Sequence, residues 1–287
     1  MNWIVTSFLM FVSSIIYYLI IKKAQLNKIE NKLYMVFNFA VPTLLFLFIN
    51  ISKHINIFID LKLIGIILLI SFFLNYIGSS VSYLAISKAP NAGYSVIIQK
   101  SYAVYTSIAA IYLFHSFLSL RKFFAILFII FSTAIVSITR GKKLNFKNYQ
   151  WVVLSFVSFF CFGTLRLANK LIISAGVPVI TLLFWAAFFT TIISLIDLIL
   201  NKKQVKTKIT INNFLFLLGI GVSVTFFYYF LQTAEVIAPN IGYVGAINTA
   251  SNAFYTILVA LIFKDHLSVK KFLAVLGVTA GLILLVI

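Results

Sequence analysis

Acidic side chains are scarce: five Asp or Glu stand among 287 residues, against 23 Lys or Arg. Paired carboxylates for hydrolysis, or a relay of buried acids for protons, therefore have little to draw on. Cysteine occurs once, at Cys161 inside an apolar stretch, where it reads as a small space-filling side chain. The histidines His54, His115 and His266 lack a second His, Cys or acid at metal spacing, apart from the trio Lys264-Asp265-His266. No metal site is expected. The phosphate-cradling Gly-x-x-x-x-Gly-Lys motif and the Gly-x-Ser-x-Gly nucleophile turn are both missing. Nothing in the residues asks for a cofactor or for catalysis, so a non-enzyme is expected. The chain also starts without a basic region followed by a small-residue cleavage pattern, and Met1 to Ile21 read as a retained membrane span.

Apolar residues, by contrast, make up 62% of the chain and charged ones 10%. That is far more apolar surface than one soluble domain can hide. Stretches near the roughly 20 residues needed to cross a bilayer as a helix recur at 2–21, 33–51, 63–87, 92–114, 123–139, 150–173, 178–200, 211–236, 240–263 and 271–287. The expected fold is an all-α integral membrane protein with ten transmembrane helices. The basic residues cluster in the short connections, most of them after odd-numbered spans, as at Lys22, Lys23, Lys142, Lys143, Lys202 and Lys203. This pattern reads as topology and argues against a nucleic-acid surface. The positive-inside rule then puts the odd connections in the cytoplasm and both termini outside.

A six-residue phrase occurs twice, as Ala89-Pro90-Asn91-Ala92-Gly93-Tyr94 and Ala238-Pro239-Asn240-Ile241-Gly242-Tyr243. At the same offset of 149 residues, Gln99 pairs with Asn248, Phe114 with Phe263, Ser119 with Ser268 and Lys122 with Lys271. Two five-span halves follow, residues 1–148 and 149–287. Because five is odd, the second half enters the membrane from the opposite side, which makes an inverted repeat. Each phrase reads as a helix start, with Pro favoured in a first turn. Pro90, Gly93, Pro239 and Gly242 are the candidate hinges, although turn chemistry alone accounts for such residues equally well.

Polar stripes at helical spacing mark faces that must avoid lipid. The first span carries Trp3, Ser7, Met10, Ser14 and Tyr18, and the sixth carries Trp151, Ser155, Ser158, Phe162 and Arg166 at an offset of 148. Gln99, Tyr102 and Thr106 in the fourth span are matched by Asn248, Ser251 and Tyr255 in the ninth. Ser79 and Tyr83 in the third correspond to Tyr228 and Gln232 in the eighth. Matching positions in inverted halves meet near the midplane, where repeat-built transporters place their sites. Lys100 lies about 13 Å along its helix, and an intramembrane cation there calls for a cavity or a partner. Lys100 is thus the leading anchor for an anionic group, with Arg166 beside it. An ion pair of Arg166 or Lys170 with Glu235 is the competing use of those charges, and helix-gluing polar seams are the competing use of the stripes. Gly277 and Gly281 form a small-xxx-small spacing that suits either a homodimer or packing within a monomer.

The turn Phe263-Lys264-Asp265-His266-Leu267-Ser268 followed by Lys270-Lys271, and its first-half counterpart Phe114-His115-Ser116-Phe117-Leu118-Ser119, resemble the drug/metabolite transporter superfamily. The likeness is to its ten-helix EamA-type members. The family typically shows a Gly-Glu-Arg-Leu-Ser-like turn at this place, and Asp265 occupies its acidic position in the second half only. Where many relatives carry an acidic-Pro pair in the ninth helix, this chain has Ser251-Asn252, with Tyr102-Ala103 in the first half. The resemblance implies one EamA-like five-helix repeat in residues 1–148 and a second in 149–287. It further implies secondary transport or export of small organic solutes, amino-acid-like or otherwise anionic or zwitterionic, by alternating access through a central cavity in a bacterial inner membrane. Export would run with protons or by facilitated diffusion. A membrane accessory or scaffold protein, and a flippase for a lipid-linked substrate, are the alternatives.

Overall fold

The computed structural model describes residues 2–27, 29–88, 95, 98–137, 150–201, 210–262 and 269–286. Among these residues there is no strand. The helices are α1 (Trp3–Leu26), α2 (Asn31–Ser52), α3 (Leu61–Ile70), α4 (Ile77–Lys88), α5 (Tyr102–Phe114), α6 (Leu120–Ser137), α7 (Gln150–Ser174), α8 (Val179–Leu200), α9 (Ile211–Ile237), α10 (Ile241–Ile262) and α11 (Val269–Val286). Their ends follow local chemistry. Asp60 caps α3 by accepting from Lys62 N, and Thr210 caps α9 by accepting from Asn213 N. His115, in the left-handed region at φ 50°, closes α5. Gly176 at φ +96° and Pro178 separate α7 from α8.

Among the described residues, six stretches are long and apolar enough to cross a bilayer: Trp3–Ala24, Lys32–Ser52, Leu61–Ile86, Gln150–Ser174, Val179–Leu200 and Ile211–Ile237. Large apolar side chains point outward along them, among them Phe8, Leu44, Phe48 and Phe160, as lipid-facing helices require. The polar residues turn inward. Ser7 and Ser14 on α1, and Ser155 and Ser158 on α7, are fully buried.

Three departures from the sequence reading are local. The expected fourth span, 92–114, is broken by a turn at Ser101, just after Lys100, and α5 begins only at Tyr102. The expected third span, 63–87, is α3 and α4 joined by a π-helical stretch, Ser71–Tyr76. Within it, Asn75 Nδ2 donates to Thr190 Oγ1 of α8 at 3.1 Å. The second copy of the repeated phrase does begin a helix, but Pro239 lies before it and outside the first turn. Asn240 is the capping residue, its Oδ1 accepting from Gly242 N at 2.9 Å. The first copy, with Pro90 and Gly93, lies outside the described residues, as do Lys142, Lys143, Lys202, Lys203 and the turn containing Asp265.

Helix pairs are joined by polar contacts across buried faces. Thr43 on α2 meets Thr191 on α8 at 3.2 Å, and Thr181 donates to Asn50 Oδ1 at 3.1 Å. Helix α1 packs on α9 and α10, while α7 packs on α4 and α5. Helix α2 packs on α9, and α8 on α3 and the π-helical stretch. Gly277 and Gly281 face α6 of the same chain: a Cβ on Gly277 would meet Ser132 Oγ at 2.8 Å, and one on Gly281 would meet Ile129 at 2.6 Å.

Candidate functional site

The site grows from the crossing of α5 and α10. A Cβ on Gly242 would run into the Ser107 side chain, and one on Gly245 would lie 3.1 Å from Ala103 Cβ. These glycines let the two backbones approach. Asn240 Nδ2 fastens the crossing by donating to Ser107 O at 3.2 Å. At the other end of the crossing, Thr249 Oγ1 donates to Lys100 O at 3.3 Å. Lys100 Nζ reaches Asn248 Oδ1 at 3.5 Å, and Asn248 Nδ2 donates to Tyr102 Oη at 3.2 Å.

Lys100 therefore projects between the helices with a single long side-chain hydrogen bond among the described residues. Its ammonium also lies over the Tyr18 ring, 5.6 Å from the centroid. Tyr18 in turn packs at a tilt against Tyr255, with ring centroids 5.7 Å apart. Arg166 of α7 lies close enough to Lys100, Tyr18 and Tyr228 to act on all three electrostatically, with Tyr102 beside it. Tyr83 approaches Tyr17, Tyr18 and Tyr228 from α4 and packs edge-on against Tyr34. Lys100, Tyr18, Tyr83, Arg166, Tyr228 and Tyr255 all keep partial exposure, although they sit between helices. With Asn248 they form a cluster of two cations, four phenol rings and one amide between the helices, the candidate recess. Chemically it offers charge and hydrogen bonds to an anionic group, and flat rings to an apolar remainder.

A second charged cluster adjoins it. Glu235 at the end of α9 is wholly buried, and its Oε1 lies 3.7 Å from Arg166 Nε. Lys170, one turn beyond Arg166, also faces Glu235 electrostatically and lies over the Phe114 ring at 5.1 Å. Asn169 Nδ2 donates to Gln232 Oε1 at 3.0 Å.

The other expected residues divide by what they touch. Gln99 turns away from Lys100 into a serine network, accepting from Ser82 Oγ at 2.6 Å and donating to Ser95 Oγ at 2.9 Å. Ser251 bonds Ser14 Oγ at 2.9 Å and donates to Asn248 O. Gln232 is buried against Asn169, and Ser79 is half-buried on α4. Trp3 packs on Tyr243. It lies about 22 Å from Tyr18 along α1, and Trp151 stands about as far from Arg166 along α7. Tyr18 is the residue that sequence reasoning left out of the site, although its partner at the 148-residue offset is Arg166. That equivalence was the signal for it.

Residues 149–287 match the model of the EamA-like transporter family. Over the whole chain, a solved crystal structure of a protein superposes with a TM-score of 0.79 at 11% identity, covering 98% of this chain and 96% of the other. At that identity the likeness concerns the fold. No curated protein sequence matches the chain.

Proposed function

We propose, from the match of residues 149–287 to the model of the EamA-like transporter family, that the whole chain is a secondary transporter or exporter of the drug/metabolite transporter type, for small anionic or zwitterionic organic solutes, amino-acid-like ones included. The observation that carries this reading is Lys100: an ammonium in the interior of a membrane bundle, with no carboxylate within salt-bridge distance among the described residues and Arg166 nearby. Such a cation is costly unless something anionic joins it. A solute carboxylate or phosphate between Lys100 and Arg166, with Asn248 and Tyr102 as hydrogen-bonding groups and Tyr18, Tyr83, Tyr228 and Tyr255 around it, satisfies both charges.

In this reading α5, α6, α10 and α11 supply four further crossings, making ten spans in two inverted halves that rock about the site by alternating access. Three observations support the symmetry. Thr249 and Lys100, equivalent at an offset of 149, touch each other. Thr43 and Thr191, at an offset of 148, do the same. The pairing of α1 with α9 and α10 is mirrored by that of α7 with α4 and α5. Residues at a pseudo-two-fold axis must meet their own equivalents. The loops after odd spans face the cytoplasm, and the site needs no cofactor.

The test is a thermal-shift screen of the purified protein against amino acids, organic acids, nucleotides and sugar phosphates, run beside Lys100→Gln. A ligand that binds only the folded state raises the midpoint by mass action. Stabilisation by an anionic member that disappears in Lys100→Gln is expected. An equal response in both proteins removes Lys100 from the site. A lipid-linked substrate is the second reading, favoured by a groove of about 510 Å³ between α6 and α11, lined by Phe124, Leu127, Phe128, Phe131 and Leu284 with Arg121 among its residues. Stabilisation by lipid phosphates alone would select it.

A further inference from the structure

Glu235 is the one acid in the bundle interior among the described residues. Glu30 and Asp60 stand at helix starts, and Asp197 pairs with Lys32 at 3.3 Å where both are partly exposed. Two features make the Glu235–Arg166 pair unusual for a structural ion pair. Its closest approach is 3.7 Å, through Nε and not through the guanidinium fork. Among the described residues, neither carboxylate oxygen of Glu235, nor Arg166 Nε, makes a hydrogen bond. A buried pair held for structure needs good geometry and satisfied lone pairs to offset the desolvation of two ions. This pair has neither.

Both partners also have an alternative. Arg166 also interacts with Tyr102, Tyr228 and Lys100. Glu235 has a second cation, Lys170, on the same helix face as Arg166, and Lys170 lies over the Phe114 ring at 5.1 Å with no carboxylate within salt-bridge distance among the described residues. Arg166 and Lys170 are the charged groups that face the carboxylate. Asn169 Oδ1 and Gln232 Nε2, buried beside them, are unbonded as well, so the cluster has spare donors and acceptors for a second arrangement.

We infer that Glu235 is a built-in competitor for the solute: in the empty protein its carboxylate neutralises Arg166, and when a solute's anionic group takes Arg166 the carboxylate passes to Lys170. This rests on the transporter reading above. Glu235 acts through Arg166, as a positioning residue that keeps the empty site electrically balanced and sets how strongly an anion must bind to enter it. A solute without an anionic group cannot displace it. The arrangement thus selects for anions and ties occupancy of the recess to a rearrangement at the junction of α7 and α9.

The experiment is titration of the full-length, detergent-purified protein with L-glutamate and, separately, inorganic phosphate, following the thermal midpoint, for the unaltered protein, Glu235→Gln, Glu235→Asp and Lys100→Gln. In Glu235→Gln the competitor is gone, and half-maximal stabilisation is expected at a concentration about tenfold lower, the factor by which a competent state populated about one time in ten weakens binding. Glu235→Asp, with a shorter and weaker competitor, should fall between and keeps the test open should Glu235→Gln fail to fold. A merely structural Glu235 would lower the midpoint without moving the concentration dependence, and that result overturns the inference. Anion stabilisation lost in Lys100→Gln but unchanged in both Glu235 variants overturns the competitor and leaves the transporter reading standing. A gain in the Glu235 variants with no effect of Lys100→Gln supports the competitor and removes Lys100. A flat response in every protein overturns both.

Discussion

Among the described residues, the Lys100 ammonium has one hydrogen bond, at 3.5 Å to Asn248 Oδ1, and the face of Tyr18. A charge-assisted bond to a solute anion contributes about 1.5–3 kcal/mol. Lys100→Gln should therefore weaken binding of an anionic solute by about 10- to 100-fold, since each 1.4 kcal/mol is about tenfold. Lys122, whose ammonium lies over Tyr243 at 5.1 Å, is the control: Lys122→Gln should leave the affinity within about twofold. Equal losses in the two titrations would show a general charge effect and no anchor. A different residue carries the crossing beneath the site. Asn240 both caps α10 and donates to Ser107 O, fully buried, so Asn240→Ala should cost about 1–2 kcal/mol of stability. Asn240→Asp keeps the capping acceptor, loses the donor, and should fall between in thermal denaturation. Much at this scale was legible because charge inside an apolar run is conspicuous: Lys100, Arg166 and Glu235 stand out in the sequence. The direction of a side chain was not. Gln99 and Lys100 are neighbours, yet one joins a serine network and the other enters the recess, a choice made by which helices pack on either side.

Some helix lengths could be read directly, because an apolar run near 20 residues has one stable form in a bilayer: α8 and α9 agree with their expected spans to within a residue or so, whereas α1 runs on to Leu26, past its expected end at residue 21. The π-helical stretch Ser71–Tyr76 could not be read. Its register depends on tertiary contacts such as Asn75 with Thr190, and no composition marks it. The small-residue spacing on α11 was ambiguous in the sequence, since close approach to another copy and to α6 look alike. In the fold Gly277 and Gly281 face Ser132, Phe128 and Ile129. Gly281→Leu should thus destabilise the protein by about 1–3 kcal/mol through overpacking, with no change of oligomeric state. An unchanged melting midpoint together with an altered elution volume in size-exclusion chromatography would contradict this placement and assign the face to a partner.

At the scale of the whole molecule, the proposed inverted repeat expects two related halves to bring equivalent residues together, and two such pairs, Lys100 with Thr249 and Thr43 with Thr191, are in contact. What the repeat did not reveal is how unequal the two halves are at the site. Tyr18 faces one way as an aromatic wall, while Arg166 at the equivalent place supplies a charge and a partner for Glu235. In the proposed transporter, asymmetry of this kind would give a symmetric frame one binding orientation. For the frame to transport, the recess must be aqueous, attract anions and open to each side in turn. The most direct measurement is labelling of Tyr255→Cys, in a background where the sole cysteine is removed by Cys161→Ser, with membrane-impermeant thiol reagents applied to right-side-out and inside-out vesicles. The account predicts labelling from both faces, faster with a sulfonate-bearing reagent than with a trimethylammonium one, and slowed by an anionic solute that stabilises the protein. A thiol that neither reagent reaches from either face would contradict it, and would leave the polar seams as the glue of a protein that moves nothing.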